Sequence, residues 1–482
     1  MSTNADSRGG CCWRCCLPLR YVVVAFCLLG FTIDYLLKFS ISVAIVAMVN
    51  NTHHANNTAN RDQLCTAAVN ASYNPVHATD EEFNWTLREN GIVLGTFFWG
   101  FLVTKTVGGR IAEVAGARET MCVSLGLSGV LNMLSPVAAQ IHPLALAGVR
   151  LLMGIMQGPA TPAFFCILAR WALPTEVSTM IALTGSGMSL GALLALGVSG
   201  WVVDWLGWRW VFWASGISAI VWTLLCLLLV RNSPQQHPFI SNKEKRLLSV
   251  ITTQPRRRVP WGRLLRCGYI YLLLLAEFSN AWLQTFLVTE TPSFFVNQIG
   301  MSLETSGWAF IALTCVVWIA CPLYGWVSDI LLRHQVLSKV NIRRVMQGTG
   351  AVISLVGSAG AVWAGCRKNV VGAMIILMGL GMGSSVSTFS LSPMDIAPNY
   401  VGTVTGLLGL SSVSGFLLPI VTSFLISLPN GWNINLLLTG GIYFFCSLVY
   451  IIGITADVQE WNYYENIPGE EEQPDTTKKR SE

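Results

Sequence analysis

The sequence predicts an all-α membrane protein of twelve transmembrane helices in two six-helix halves. Composition is the first ground: 53% of the 482 residues are hydrophobic, only 11% are charged and 18 are Trp, against about a quarter charged in soluble domains. Twelve apolar runs long enough to cross about 30 Å of hydrocarbon are the second. The third is a charged loop after the second run that recurs after the eighth.

Residues 1–20, MSTNADSRGGCCWRCCLPLR, lack the apolar core and small-residue cleavage site of a signal peptide and read as a retained cytoplasmic tail. Its juxtamembrane Cys11, Cys12, Cys15 and Cys16 fit either palmitoylation or unmodified thiols.

The N-terminal half, 21–230, holds runs at 21–49, 91–107, 120–139, 144–171, 178–203 and 210–230. Its polar loop 50–90 carries sequons at Asn50, Asn56, Asn70 and Asn84, which predict a glycosylated lumenal or extracellular segment. The linker 231–267 sets nine Lys and Arg against the single acid Glu244, placing it in the cytoplasm by the positive-inside rule. Both termini are then cytoplasmic.

The C-terminal half, 268–456, holds runs at 269–296, 306–331, 344–363, 370–391, 401–428 and 434–455, and the charged tail 457–482 reads as solvating and disordered. After the second run stands Gly109-Arg110-Ile111-Ala112-Glu113, and after the eighth Gly325-Trp326-Val327-Ser328-Asp329. Each puts a glycine, an acid four residues on and then a base in the same place of its half.

The stretch 149–171, VRLLMGIMQGPATPAFFCILARW, carries the first functional signal. Arg150 lies inside a membrane-spanning run, where an ionised side chain costs several kcal/mol unless it faces a cavity or a partner. Gln157 is two helical turns further on the same face, and Gly154 and Gly158 form a small-xxx-small pair for close helix approach. Pro162 is expected to kink this helix. Snorkelling of Arg150 to the interface is the competing reading.

Asp34 and Lys38 stand four apart in the first run, in the favourable order for a helical ion pair. The pair reads as a lock between helices or as part of the anion site. On the seventh run, Glu277 and Glu290 accompany Asn280, Thr291 and Pro292; the more central Glu277 is a candidate coupling group. The remaining cysteines read as small hydrophobes. No P-loop, nucleophile elbow or metal-ligand cluster occurs, so neither an enzyme, a cofactor, a metal site nor a nucleic-acid partner follows.

The clusters Phe97-Phe98-Trp99-Gly100, Arg150…Gly158…Pro162-Ala163 and Asp395-Ile396-Ala397-Pro398-x-Tyr400-x-Gly402 narrow the class. From about residue 20 to 461 the chain resembles the anion:cation symporter family of the major facilitator superfamily, which includes sialin, vesicular glutamate transporters and sodium/phosphate cotransporters. The resemblance implies alternating-access transport of an organic anion or inorganic phosphate, coupled to Na⁺, H⁺ or membrane potential. It places the protein in the plasma membrane or a lysosomal or vesicular membrane.

Arg150 matches the family's substrate-binding arginine of the fourth helix. Lys38 stands where the family carries a first-helix arginine, Gln157 where it carries a glutamate, and Lys105 where it carries a second-helix glutamine. Arg150, Lys38, Gln157 and Lys105 are therefore the candidate substrate contacts, with Asp34 and Glu277 the candidates for coupling. A receptor that keeps this fold without transporting is the alternative, favoured by Lys38 and Gln157 and opposed by Arg150.

Overall fold

The computed structural model describes residues 18–49, 82–249 and 258–463. Cys11, Cys12, Cys15, Cys16, Asn50, Asn56, Asn70 and the tail from 464 lie outside the described residues, whereas Asn84 is described and exposed. Among the described residues eleven helices are long and apolar enough to span a membrane, and the shorter apolar helix Lys368–Met382 completes twelve.

In chain order these are α1 (Leu19–Met48), α2 (Leu87–Ala115), α3 (Ala117–Ile141), α4 (Pro143–Trp171), α5 (Val177–Leu206) and α6 (Trp208–Leu229). The second set is α7 (Gly268–Val296), α8 (Leu303–Arg333), α9 (Lys339–Ala364), α10 (Lys368–Met382), α11 (Pro398–Ile426) and α12 (Gly431–Gly453).

Several helices outrun the apolar stretches because polar caps extend them. Thr86 and Glu89 form a reciprocal capping box that starts α2 at Leu87, ahead of the apolar run. His142 accepts from the Leu144 amide, with Pro143 opening α4.

Two helices depart from expectation. The break in α4 falls at Gly158-Pro159, between segments Pro143–Gln157 and Ala160–Trp171, and not at Pro162. Pro159 has no amide hydrogen to give, whereas Pro162 sits in the first turn of the second segment, where a missing donor costs nothing. The tenth run stops being helical at Met382, and 383–391 form turns. There Ser384, Ser385 and Ser387 turn their hydroxyls back onto main-chain oxygens of Gly381, Met382 and Ser384, competing with the helical ladder.

Within the first half, α2 and α4 meet backbone to backbone. A Cβ on Gly154 would lie 2.1 Å from the Phe97 oxygen, and one on Gly158 2.1 Å from the Thr104 hydroxyl. The small-xxx-small reading thus has its partner helix.

The two halves join along α2 against α11 and α5 against α8. At the end of α2 that carries the repeated loop, a Cβ on Gly109 would overlap the Gly402 oxygen. The repeat acids close this seam. Glu113 accepts from the Thr403 amide at 2.7 Å and its hydroxyl at 2.6 Å, while Asp329 accepts from the Ser178 amide at 3.3 Å and the Thr179 amide at 2.7 Å. Each acid thereby caps the start of a helix in the opposite half.

The linker is fastened at two points on this same side. Glu244 accepts from the amides of Leu19 and Arg20, both at 3.0 Å, capping α1. The Tyr400 hydroxyl donates to the Arg258 oxygen at 3.1 Å, joining the linker to the second half. On the other side Cys366, between α9 and α10, is disulfide-bonded and so departs from the reading of the scattered cysteines as small hydrophobes.

Candidate transport site

A cavity of about 130 Å³ lies between the halves. The first half supplies Lys38 from α1 and Lys105 from α2; the second supplies Glu277, Asn280 and Gln284 from α7 and Ser412 from α11. A separate vestibule of about 630 Å³ opens on the linker side, lined by Arg170, Lys339, Arg343 and Asp395 among others.

Lys38 projects into a set of aromatic rings. Its Nζ lies 4.7 Å from the ring centre of Phe101, 5.1 Å from those of Tyr35 and Phe98, 5.4 Å from Phe39 and 5.9 Å from Phe97. This position explains a departure from the sequence reading: among the described residues no ion pair joins Asp34 to Lys38. The ring faces draw the ammonium away. Asp34 stays buried behind the wall, and its Oδ1 has no hydrogen-bond partner.

Lys105 lays its stem against Gly409, where any Cβ would meet the Lys105 Cγ at 2.7 Å. Its Nζ donates to the Ser412 hydroxyl at 3.3 Å and lies 5.4 Å from the Phe101 ring centre. A cation of the first half is thus held by the second. Glu277, lining the opposite wall, accepts from the Ser390 hydroxyl at 3.3 Å, and Asn280 on the next turn has a buried, unpartnered Oδ1.

Arg150 and Gln157 do not line this cavity. Arg150 is 1% exposed, which excludes snorkelling. Its guanidinium donates to the main-chain oxygens of Leu37 at 3.4 Å and Lys38 at 2.9 Å and stacks over the Phe97 ring at 4.9 Å. One turn back along α1, Gln157 donates to the Asp34 oxygen at 3.5 Å. Two polar residues of α4 thus grip the backbone of α1 behind the lysine. Glu290 lies nearer the end of α7 and accepts from the Thr289 hydroxyl.

The sequence reading missed the ring set and a buried network on the linker side. Arg343, at the start of α9, donates to Asp395, to the hydroxyls of Ser178 and Ser328 and to the Ser387 oxygen, while Lys339 pairs with Asp395 at 2.6 Å. Its signal was the order of α9, which opens on Lys339 and Arg343 before its apolar part. Taking 344 as the start of the run left Arg343 outside.

The Major Facilitator Superfamily profile matches residues 27–419. Vesicular glutamate transporter 3 of Danio rerio is 28% identical over 97% of this chain and 79% of its own length. Vesicular glutamate transporter 2 of Homo sapiens is 27% identical over 92% and 75%. Among solved structures, the proton:xylose symporter XylE bound to 6-bromo-6-deoxy-D-glucose superposes with a TM-score of 0.67 at 14% identity, covering 91% of this chain and 97% of that one. These relatives are transporters, not enzymes, and agree with the resemblance to anion:cation symporters. This multi-pass integral membrane protein belongs to the Major Facilitator Superfamily.

Proposed function

We propose that the protein is a secondary transporter that carries a small anion through the cavity by alternating access, with a cation taken at Glu277. The observation that supports this most is the pairing of Lys38 and Lys105 in one cavity between the halves. Buried cations attract an anion strongly where water is scarce. Glu277 is the carboxylate on the opposite wall of this cavity, positioned to exchange H⁺ or Na⁺ as the substrate comes and goes.

In this reading the linker side is cytoplasmic and the side of Asn84 and Cys366 lumenal or extracellular. The nine linker cations support it, as does the disulfide of Cys366, since disulfides persist in oxidising compartments. The relatives' names point to a vesicular membrane.

Uptake into proteoliposomes, driven by an imposed Na⁺ gradient, H⁺ gradient or potential, tests the proposal. Anion uptake should follow one of these gradients, fall sharply in Lys38→Gln and lose its gradient dependence in Glu277→Gln. Anion binding without uptake under any gradient would favour the receptor instead.

A further inference from the structure

We infer that the cavity selects a monovalent organic anion with a flat apolar body, in preference to inorganic phosphate or an amino acid. The inference rests on the reading of this cavity as the substrate site and adds the chemical class of the substrate.

Charge sets the valence. With the cation of Glu277 released as the anion enters, the lining carries Lys38 and Lys105 against the Glu277 carboxylate, and the layer behind it adds Arg150 against Asp34, so the surplus is one positive charge in either count. A monoanion balances that surplus. A dianion leaves an excess negative charge in a site shielded from solvent, where uncompensated charge is expensive.

Shape and polarity set the body. Tyr35, Phe39, Phe98, Phe101 and Phe165 line the cavity, and four of these five rings also surround the Lys38 ammonium. That ammonium has no hydrogen-bond acceptor among the described residues, so an anionic head is the partner it lacks. A flat ring attached to that head would stack on the same aromatic faces and exclude water from them.

The alternatives fit less well. Phosphate recognition favours a guanidinium fork, and the nearby Arg150 guanidinium is occupied by the oxygens of Leu37 and Lys38 behind the wall. The α-ammonium of an amino acid adds a third cation to a lining that already sets Lys38 and Lys105 against the single carboxylate of Glu277.

The test uses the purified full-length protein, with benzenesulfonate as a permanently charged probe that does not cross lipid unaided. Binding by calorimetry and uptake into proteoliposomes are measured, with glutamate, inorganic phosphate and the dianion benzene-1,3-disulfonate as competitors. Benzenesulfonate should bind and be taken up, while each competitor at about tenfold excess displaces little of it.

Phe101→Leu should weaken benzenesulfonate about fivefold or more and leave methanesulfonate, which has no ring, nearly unchanged. Phe98→Leu serves the same purpose if Phe101→Leu is not monodisperse. Benzenesulfonate binding without uptake would support the site and overturn the transport reading. Lys38-dependent uptake of glutamate or phosphate without benzenesulfonate binding would overturn the inference and leave transport standing. Tighter binding of the disulfonate would overturn the monovalent assignment, and no binding of any of these anions would overturn both readings.

Discussion

Arg150 donates from Nη2 to the main-chain oxygen of Lys38 at 2.9 Å, so the fourth helix holds the residue whose ammonium enters the cavity. Charge-assisted hydrogen bonds of this kind contribute about 1.5–3 kcal/mol each. Arg150→Gln cannot reach both oxygens or cover the Phe97 ring. Uptake per surface molecule should fall at least about tenfold and the melting temperature should drop. Normal uptake by Arg150→Gln at normal surface level would remove this role.

Asp34 is a buried carboxylate whose Oδ1 has no hydrogen-bond partner and whose expected base points elsewhere. Asp34→Asn should therefore melt no lower than the parent protein. It should also bind anions as well or a few-fold more tightly, because a negative charge behind Lys38 is gone. Calorimetry and a thermal melt check both; a variant that unfolds or binds more weakly would show that the carboxylate is structural.

Gly154 allows α4 to touch the backbone of α2 at Phe97. Gly154→Val places two methyl groups where a single Cβ already overlaps main chain, and overpacking of this kind costs about 1–3 kcal/mol or more. Surface expression should fall severalfold, whereas Gly148→Val, in open space one and a half turns earlier, should not change it.

The caps made by Glu113 and Asp329 hold the two halves together on the linker side. Removing a helix cap costs about 1 kcal/mol, equivalent to roughly a fivefold change in an equilibrium. Glu113→Gln and Asp329→Asn should each move the population by about that factor toward a linker-side-open state. Spin labels at the linker-side ends of α2 and α11 report the distance directly, and an unchanged distribution in both variants would show that the caps do not set the balance.

Glycosidase treatment of protein from mammalian cells should lower its apparent mass. Combined Asn→Gln changes at Asn50, Asn56, Asn70 and Asn84 should abolish the shift. Cleavage at Arg258 by trypsin added outside intact cells would reverse the topology.

The fold was legible because membrane spans announce themselves by length and apolarity alone, and because the repeated acids Glu113 and Asp329 marked equivalent loops. The cavity was legible only in part. Lys38 and Glu277 stood out through the cost of charge in a membrane, Lys105 only through the resemblance to anion:cation symporters, and that same cost drew attention to Arg150 and Asp34. Cost alone does not say what relieves it: main-chain oxygens of α1 serve Arg150, a partner that sequence spacing cannot reveal. The ring set around Lys38 was hidden for a related reason. Phe98 stood out only as part of a family cluster and Phe101 not at all, because it is the packing of α2 beside α1 that brings both rings to the lysine.

The linker works as a leash. Glu244 pins it to the first half and Tyr400 pins Arg258 to the second, so thirteen residues, 245–257, separate the anchors along the sequence. Thirteen residues of extended chain reach at most about 45 Å. While both anchors hold, that reach is an upper limit on how far the linker-side ends of α1 and α11 can part.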